Sequence, residues 1–310
     1  MKTVILLTAF NGERFLPAQL DSLAAQTDPD FTVLMQDDGS SDSTPQILEK
    51  YASSDPRFTF GGEQGRHFGA KGNFLSLIRQ AQGDLFLFCD QDDIWKPDKV
   101  SALKSAMSAA EESAAPGTPV LVHSDCCVIG EDGSLLHGSF FRHQGWDPSA
   151  VSLQRLLVQN NVTGCAAAIN RPLRDLAARY GKADRIFMHD WFLALTAASF
   201  GRVVFLDRPL TLYRQHAANS IGASASGQVT RGFRALAGLK KGQDRILLTY
   251  SNASSFLDMF GGALPGPSAD IIKAYLSTRS LAKPRRLFRV FRGGYVMQSP
   301  VTRAGQLFFG

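Results

Sequence analysis

Apolar runs of strand length alternate with helix-period patterns through the first hundred residues of this 310-residue chain. Residues 4–8, 31–35, 57–60 and 85–89 read as strands. Between them, leucines recur at helical spacing or an N-cap residue is followed by proline, as at a helix start. Repeated βα units predict an α/β/α sandwich, in which helices cover both faces of a mostly parallel central sheet.

The fourth predicted strand runs directly into three carboxylates, Asp90, Asp92 and Asp93. Like charges at this spacing repel one another and each resists burial, so the run suits a place where a cation binds. Oxygen ligands at a strand end favour a hard divalent ion, Mg²⁺ or Mn²⁺, shared with a phosphate. Three acids taken alone are equally compatible with a solvated acidic turn.

Polar clusters follow three of the predicted strands, at residues 8–11, 37–42 and 90–93. Open parallel sheets bind ligands at the carboxyl ends of their strands. We therefore expect the three clusters to converge in space. That convergence favours a binding site over unrelated solvated turns.

The rest of the chain gives weaker signals. Residues 130–150 contain glycine and histidine without periodicity and form a candidate acceptor-side loop. The other elements predicted here are a helix near 97–110, strands at 120–128 and 161–169, a helix at 187–198, and short strands at 203–206 and 210–213.

In their order and spacing, these motifs resemble the family 2 glycosyltransferases of the GT-A fold, and most nearly their rhamnosyltransferase-like branch. The resemblance covers roughly residues 1–220. It implies a GT-A type, Rossmann-like sandwich and an inverting, metal-dependent glycosyltransferase. The stretches that carry it are Thr8-Ala9-Phe10-Asn11-Gly12, Gln26-Thr27, Gln36-Asp37-Asp38-Gly39-Ser40-Ser41-Asp42, Asp90-Gln91-Asp92-Asp93-Ile94-Trp95, Asn161-Val162-Thr163-Gly164-Cys165, His189-Asp190-Trp191 and Tyr213-Arg214-Gln215-His216.

The resemblance also implies the substrates. The donor is a dTDP- or UDP-linked sugar, with dTDP-L-rhamnose as one candidate. The acceptor is a cell-surface polysaccharide, a lipopolysaccharide or a lipid-linked glycan.

The donor-side residues lie mainly at the ends of the first, second and fourth strands. By resemblance, Asp38 reads the base, since a carboxylate accepts the imide N–H of uracil or thymine and is repelled by the matching edge of cytosine. A glycine-ended turn with capping aspartates is the alternative. Lys71 and Asn73 suit a diphosphate or sugar hydroxyls near a helix start, unless Asn73 only caps that helix. The candidate donor-binding residues are Thr8, Ala9, Asn11, Asp37, Asp38, Lys71, Asn73, Asp90 and Gln91.

The same resemblance assigns the acid run and a distant histidine to a metal. Asp92 is the implied ligand for Mn²⁺ or Mg²⁺, and Asp90 approaches the ribose or the metal. In a strand these two side chains share a face. His216 is a third candidate ligand, with an ordinary surface histidine as the alternative. Asp93 either lies behind these ligands or caps the helix near residue 97.

Asp190 is the candidate general base. Inverting transfer needs one carboxylate to accept the proton of the acceptor hydroxyl as that oxygen attacks the anomeric carbon. A plain acidic residue at a helix start is the alternative. The family usually has an acid before this residue, where His189 stands here, so His189 assists, orients the acceptor or only packs.

The net charge of +5 hides an asymmetry, because residues 230–310 carry +10 and residues 1–229 carry −5. A basic tail suggests an anionic partner, either membrane phospholipid or nucleic acid. Arg285, Arg289 and Arg292 share one face of a predicted helix, as in a helix lying on an anionic membrane. A helix packed on the catalytic domain is the alternative.

A basic-tailed nucleic-acid-binding protein without transferase activity is the competing function. Aromatic stacking motifs are missing from the sequence, and the acidic sheet edge repels phosphate, so nucleic acid is not the expected partner.

The predicted organisation is a catalytic domain at 1–221, whose nucleotide-sugar half ends near 115, then a linker at 222–229 and a basic helical region at 230–310. The four cysteines form no CxxC pair and read as reduced thiols in a cytoplasmic protein, with the tail suggesting contact with the inner face of the plasma membrane. The apolar N-terminus reads as a buried strand rather than a signal peptide.

Overall fold

A computed structural model describes residues 1–61, 67–216 and 231–309. The predicted linker at 222–229 lies outside the described residues. No helix in these described segments combines the length and apolarity that a membrane span requires.

The first half of the sheet is parallel, as the βα pattern predicts. Its central strand, β1 (Thr3–Ala9), is flanked by β2 (Phe31–Asp37) and β4 (Leu85–Asp90), and β3 (Phe58–Phe60) pairs with the outer side of β2. Every residue of β1 is buried. Burial on both faces explains why this strand is a continuous apolar run rather than an alternating one.

The second half mixes strand directions. β8 (Ala167–Asn170) lies antiparallel between β4 and β6 (Val120–Ile129), and β6 pairs in parallel with β9 (Arg202–Arg214). Two short strands complete the sheet, with β5 (Ile94–Trp95) against β9 and β7 (Leu135–His137) against β6. The strand order is β3-β2-β1-β4-β8-β6-β9-β5, with β7 beside β6.

Two of the predicted strand assignments are wrong. In place of a strand at 161–169, a three-residue 3₁₀ turn, Gly164–Ala166, precedes β8. The two short strands predicted at 203–206 and 210–213 are one strand, β9. Its register against β6 shifts around Asp125, which stands opposite Pro209. Proline cannot donate a ladder hydrogen bond, so the sequence reads as a break where the strand continues through an irregularity.

Helices cover both faces of the sheet. Ile5 and Leu7 of β1 belong to one hydrophobic core, and Val4 and Leu6 belong to the other, as alternation along a strand requires. The helices are α1 (Leu16–Ala24), α2 (Thr44–Ser54), α3 (Gly69–Gln80), α4 (Lys99–Glu112), α5 (Phe140–Gln144), α6 (Leu153–Val158), α7 (Arg171–Tyr180), α8 (His189–Phe200), α9 (Arg231–Phe260), α10 (Gly266–Ser277), α11 (Lys283–Arg292) and α12 (Pro300–Phe309).

The C-terminal helices pack against the sandwich. Phe256 of α9, Ile272 of α10 and Val290 of α11 lie in the same core as Phe74 and Phe86. α8 lies in this core too and is buried along most of its length. The four cysteines are buried and unpaired, as predicted for reduced thiols.

Candidate active site

The ends of β1 and β2 are tied together by hydrogen bonds. The Asp38 amide donates to the Ala9 carbonyl (2.8 Å), and the Ser41 amide donates to the Asn11 side chain (2.9 Å). Asn11 has a φ of +46°, in the left-handed region that asparagine tolerates better than most residues. The local turn chemistry therefore brings the first two polar clusters together.

Gln91 links the third cluster to the first. Its amide brackets the backbone of Phe10, accepting from the Phe10 amide (2.6 Å) and donating to the Phe10 carbonyl (2.9 Å). A Cβ at Gly12 would stand 2.4 Å from the Gln91 side-chain oxygen, so this approach needs a glycine there. The three strand ends form one edge, and Gln91 uses its side chain to hold that edge together.

The two aspartates of the second cluster have different partners. The Asp37 carboxylate accepts hydrogen bonds from the amides of Gly39 and Ser40 and from the Ser40 hydroxyl, which makes Asp37 a turn cap. The Asp38 carboxylate accepts from the amides of Phe68 (2.6 Å) and Gly69 (2.9 Å) at the start of α3. An ionised carboxylate has about four acceptor positions, so Asp38 keeps capacity for a further N–H.

An aromatic pair that sequence reasoning missed adjoins Asp38. Nδ1 of His67 lies 3.0 Å from a carboxylate oxygen of Asp38, and the ring centroids of His67 and Phe10 are 4.9 Å apart. Both rings are exposed at the end of β1. No motif or spacing in the sequence connects His67 to Asp38, so this pair becomes apparent only in the fold.

Lys71 and Asn73 lie on α3, but neither begins it. The Lys71 ammonium donates to the Ile186 carbonyl (2.7 Å) and ties α3 to the segment before α8. Asn73 is 1% exposed, and its side-chain oxygen has no hydrogen-bond partner among the described residues. The capping alternative for Asn73 is wrong, because α3 already begins at Gly69.

The acid run divides into two groups. β4 ends at Asp90 and the chain then turns, so Asp90 and Asp92 do not share a strand face as the sequence predicted. Ligand atoms of Asp90, Asp93 and Cys165 lie within 4.8 Å of one another. Asp92 instead meets His216, with 2.8 Å between a carboxylate oxygen and Nε2. The structure therefore brings two of the three predicted metal ligands together directly.

Asp93 is more deeply buried than Asp90 and Asp92, which are half-buried. It is fully buried, with one oxygen accepting from the Arg214 amide (3.0 Å) and the other without a partner in the described structure. Its pKa is raised to about 7 by burial and by the charge of Asp92. The helix-cap alternative is wrong, because α4 begins at Lys99 and Asp98 occupies the position before it.

The electrostatics of the run fit a divalent cation. Burial, followed by the charges of Asp92, Asp93 and Asp190, raises the pKa of Asp90 well above its ordinary value. Ionised acids in this setting need a countercharge, and an unpartnered buried oxygen on Asp93 needs a ligand. Carboxylates with one imidazole suit Mn²⁺ or Mg²⁺.

Arg214 is a further residue of the site. Its guanidinium donates to the Asp92 carbonyl (2.8 Å) and to the Glu131 carbonyl (2.9 Å), and it lies 4.8 Å from the Phe15 ring centroid. Arg214 thus holds the turn that carries Asp92 against the start of the 130–150 segment. Its place in the motif ending at His216 was the signal in the sequence.

Asp190 lies in the first turn of α8, half-buried. Burial raises its pKa to about 6, although hydrogen bonds from the amides of Trp191 and Gly164 and from the Asn160 side chain oppose the rise. A carboxylate with this pKa is largely ionised at neutral pH and can accept a proton, as a general base must.

His189 points away from solvent. Its ring centroid lies 4.1 Å from that of Phe74, neither ring nitrogen has a partner within the described structure, and burial lowers its pKa to about 3. A Cβ at Gly164 would stand 2.9 Å from Nε2 of His189, so the glycine makes room for the ring. Of the three roles that the sequence left open, packing is the one these contacts support.

Comparison with known proteins relates the first part of the chain to a known family. Residues 4–127 match the model of glycosyl transferase family 2. The dTDP-rhamnosyl transferase RfbG of Shigella flexneri is 28% identical over 236 residues, which cover 71% of this chain and 75% of that protein. Residues 4–127 therefore correspond to a family 2 glycosyl transferase domain. An uncharacterized glycosyltransferase of Nostoc is 25% identical over 252 residues, 77% of this chain and 73% of that protein.

Solved structures confirm the predicted GT-A fold. The structure of S. aureus TarS 1-349 in complex with UDP-GlcNAc superposes with a TM-score of 0.56 and 21% identity. The match covers 90% of this chain and 72% of the TarS chain. The mannosyltransferase PcManGT of Pyrobaculum calidifontis, in complex with GDP-Man and Mn²⁺, superposes with a TM-score of 0.54 and 19% identity. That match covers 94% of this chain and 73% of the PcManGT chain. At these identities the likeness speaks for the fold alone.

Proposed function

We propose that this glycosyltransferase moves a sugar, with inversion, from a dTDP- or UDP-linked donor to a cell-surface polysaccharide, a lipopolysaccharide or a lipid-linked glycan. L-Rhamnose from dTDP-L-rhamnose is the transfer we favour. Support for that donor comes from the relative named a dTDP-rhamnosyl transferase, which matches along 71% of the chain.

One observation carries the proposal. The candidate base and the acid run adjoin the same turn: a Cβ at Gly164 would stand 3.6 Å from the Asp190 Cβ, and the Cys165 sulfur lies within 4.8 Å of oxygens of Asp90 and Asp93. Inverting transfer requires a base near the metal–diphosphate end of the donor, because the acceptor oxygen attacks the anomeric carbon as the diphosphate leaves. A solvated acidic turn has no need for a second acid group from another element.

The nucleotide would occupy the joined ends of β1 and β2. Asp38 has capacity to accept the imide N–H of uracil or thymine, and the exposed Phe10 and His67 rings lie beside it. Asp92 and His216, with Asp90 nearby, would hold Mn²⁺ or Mg²⁺. When bound, that ion neutralises charge on the leaving nucleoside diphosphate.

Asp190 would take the proton of the acceptor hydroxyl as that oxygen attacks. The amides of Gly164 and Trp191 keep the carboxylate oriented and limit how far burial raises its pKa. His189 packs behind it as a neutral ring, so Asp190 is the residue at this helix start that can accept the proton near pH 7.

A donor panel tests the proposal. We expect dTDP-L-rhamnose, and less strongly UDP-sugars, to raise the melting temperature in the presence of Mn²⁺ and to be slowly hydrolysed, with both effects lost in EDTA. A CDP-linked sugar serves as the mismatched base, because the matching edge of cytosine presents an acceptor nitrogen that the Asp38 carboxylate repels. Stabilisation by the CDP-linked sugar alone, or an unchanged response in EDTA, would contradict the proposed donor or metal.

We also infer that the C-terminal region contacts an anionic membrane surface. In α11 the apolar face is already used, since Val290 is buried in the core, whereas Arg285, Phe288, Arg289 and Arg292 form an exposed stripe at i, i+3, i+4 and i+7. The packed-helix alternative is therefore right for one face of α11. The other face supports an electrostatic contact with one aromatic side chain, rather than insertion of an amphipathic helix.

Removing the stripe's charge is expected to weaken vesicle binding. Each basic side chain near an anionic surface contributes about 1 kcal/mol, so Arg285→Ala/Arg289→Ala/Arg292→Ala should lower the affinity for vesicles containing phosphatidylglycerol by roughly 100-fold. The control Lys50→Ala/Lys182→Ala/Arg185→Ala removes the same charge from exposed positions elsewhere. Equal losses in both triple variants in a sedimentation assay would argue against a localised membrane surface.

A further inference from the structure

Lys99 is a lysine with no exposed surface, in the first turn of α4. Its ammonium donates to the Cys165 carbonyl (2.5 Å) and to the Thr211 hydroxyl (2.8 Å), and it lies 3.6 Å from the centroid of the Trp95 ring. These three contacts match the three N–H groups of an ammonium. Burying a charged lysine costs free energy, and burial lowers the pKa of Lys99. The three contacts therefore indicate a structural or functional role.

The carbonyl that Lys99 holds belongs to the Gly164–Ala166 turn, which contacts both acid centres of the site. Gly164 lies against Asp190, since a Cβ at Gly164 would stand 3.6 Å from the Asp190 Cβ, and its amide opposes the rise that burial causes in the pKa of Asp190. The thiol sulfur of Cys165 lies within 4.8 Å of carboxylate oxygens of Asp90 and Asp93. One turn of three residues therefore connects the candidate base with the acid run at the end of β4.

We propose that Lys99 is a positioning residue, which fixes the Gly164–Ala166 turn so that its Gly164 amide holds Asp190 in place for proton transfer. The inference rests on the proposed function in one respect, that Asp190 is the base. Lys99 does not touch Asp190. It acts through the peptide of Cys165, next to the glycine that contacts the carboxylate.

The geometry separates this role from that of a simple countercharge. A countercharge for the acid run would direct its N–H groups at carboxylates, whereas those of Lys99 meet a backbone carbonyl, a hydroxyl and a ring face. The contacts also come from three separate parts of the fold, namely β5, β9 and the turn. Lys99 thus fixes the turn relative to the sheet rather than neutralising one acid.

Lys99→Met tests the role, since methionine keeps much of the side-chain length and loses the donors. A small misplacement of a catalytic group costs about a hundredfold, so we expect kcat to fall by about 100-fold. Calorimetric binding of dTDP with Mn²⁺ should stay within about twofold, because the nucleotide end of the site is untouched. The acid limb of the kcat profile should move to higher pH, since a lost hydrogen bond to a carboxylate raises its pKa.

Lys104→Met is the matched control, because Lys104 lies on the same helix and pairs with Asp28 at the surface. It should leave kcat and the acid limb unchanged. If Lys99→Met does not fold, Thr211→Val decides, since it removes one contact of Lys99 and should shift kcat and the acid limb in the same direction by a smaller factor.

The proposed function and this inference fail in different ways. If Asp190→Asn transfers sugar at the wild-type rate, Asp190 is not the base and the proposed function is overturned. If Asp190→Asn is inactive while Lys99→Met, or Thr211→Val in its place, keeps the wild-type kcat and acid limb, the positioning role alone is overturned. A loss of dTDP–Mn²⁺ binding equal to the loss of kcat would also overturn it, in favour of the countercharge.

Discussion

Asp190→Asn is expected to lower kcat by roughly 10³-fold while nucleoside diphosphate binding is retained, because general base catalysis contributes on the order of 10²–10⁴. Asparagine keeps the size of the side chain and an oxygen that can accept the Gly164 amide, but it cannot take a proton from the acceptor. Single-turnover transfer, measured alongside calorimetric binding of dTDP with Mn²⁺, separates the two effects.

The pH dependence of the rate is a second test of Asp190 as the base. The pKa of Asp190 is about 6, and the ionised form is the active one, so kcat/KM should fall as the pH drops through about 6. The Asp190→Asn variant should lack this limb. Asp184→Asn, an exposed acid in the segment before α8, is the control and should keep both rate and limb. Wild-type turnover by Asp190→Asn would show that the proton goes elsewhere.

The sequence predicts the first half of the fold well because its signals are local. Apolar runs and helix spacing locate β1 to β4 and α1 to α4 to within a few residues, but they miss the two-residue strand β5. The 161–169 segment misleads because a short apolar run does not distinguish a strand from the turn Gly164–Ala166. The sequence pattern predicts two strands in place of β9 because Pro209 interrupts it. The strand continues through Pro209 because its register against β6 shifts there, which no local pattern reveals.

The candidate site, like the fold, contains features that the sequence predicts and features that it does not. Strand-end acids can be predicted because a sheet gathers its strand ends at one edge. The partners within the acid run cannot, because the turn after Asp90 sends Asp92 towards His216, 124 residues along the chain. Lys99 and His67 carry no motif at all. Their roles follow from what the fold places beside them.

Asp92→Asn is expected to abolish transfer, by roughly 10³-fold or more, with the fold intact. Asp92 is the acid in contact with His216 and the proposed principal ligand of the metal. Asparagine can still accept a hydrogen bond from His216 but brings no charge to a divalent ion. Stability should not suffer, because the charge of Asp92 raises the pKa of both Asp90 and Asp93, and removing it relieves that repulsion.

Mn²⁺ affinity, followed by electron paramagnetic resonance in the presence of dTDP, tests this cause directly. Asp92→Asn should lose tight Mn²⁺ binding together with transfer, and its thermal unfolding should match that of the wild type. Asp84→Asn, directly before the start of β4 and paired with Arg171, removes an acid beyond the opposite end of that strand and should change neither Mn²⁺ affinity nor rate. If Asp92→Asn binds Mn²⁺ as the wild type does and still fails to transfer, the metal belongs to the deeper acids, Asp90 and Asp93. If the turnover of Asp92→Asn equals that of the wild type, the metal does not bind at the acid run.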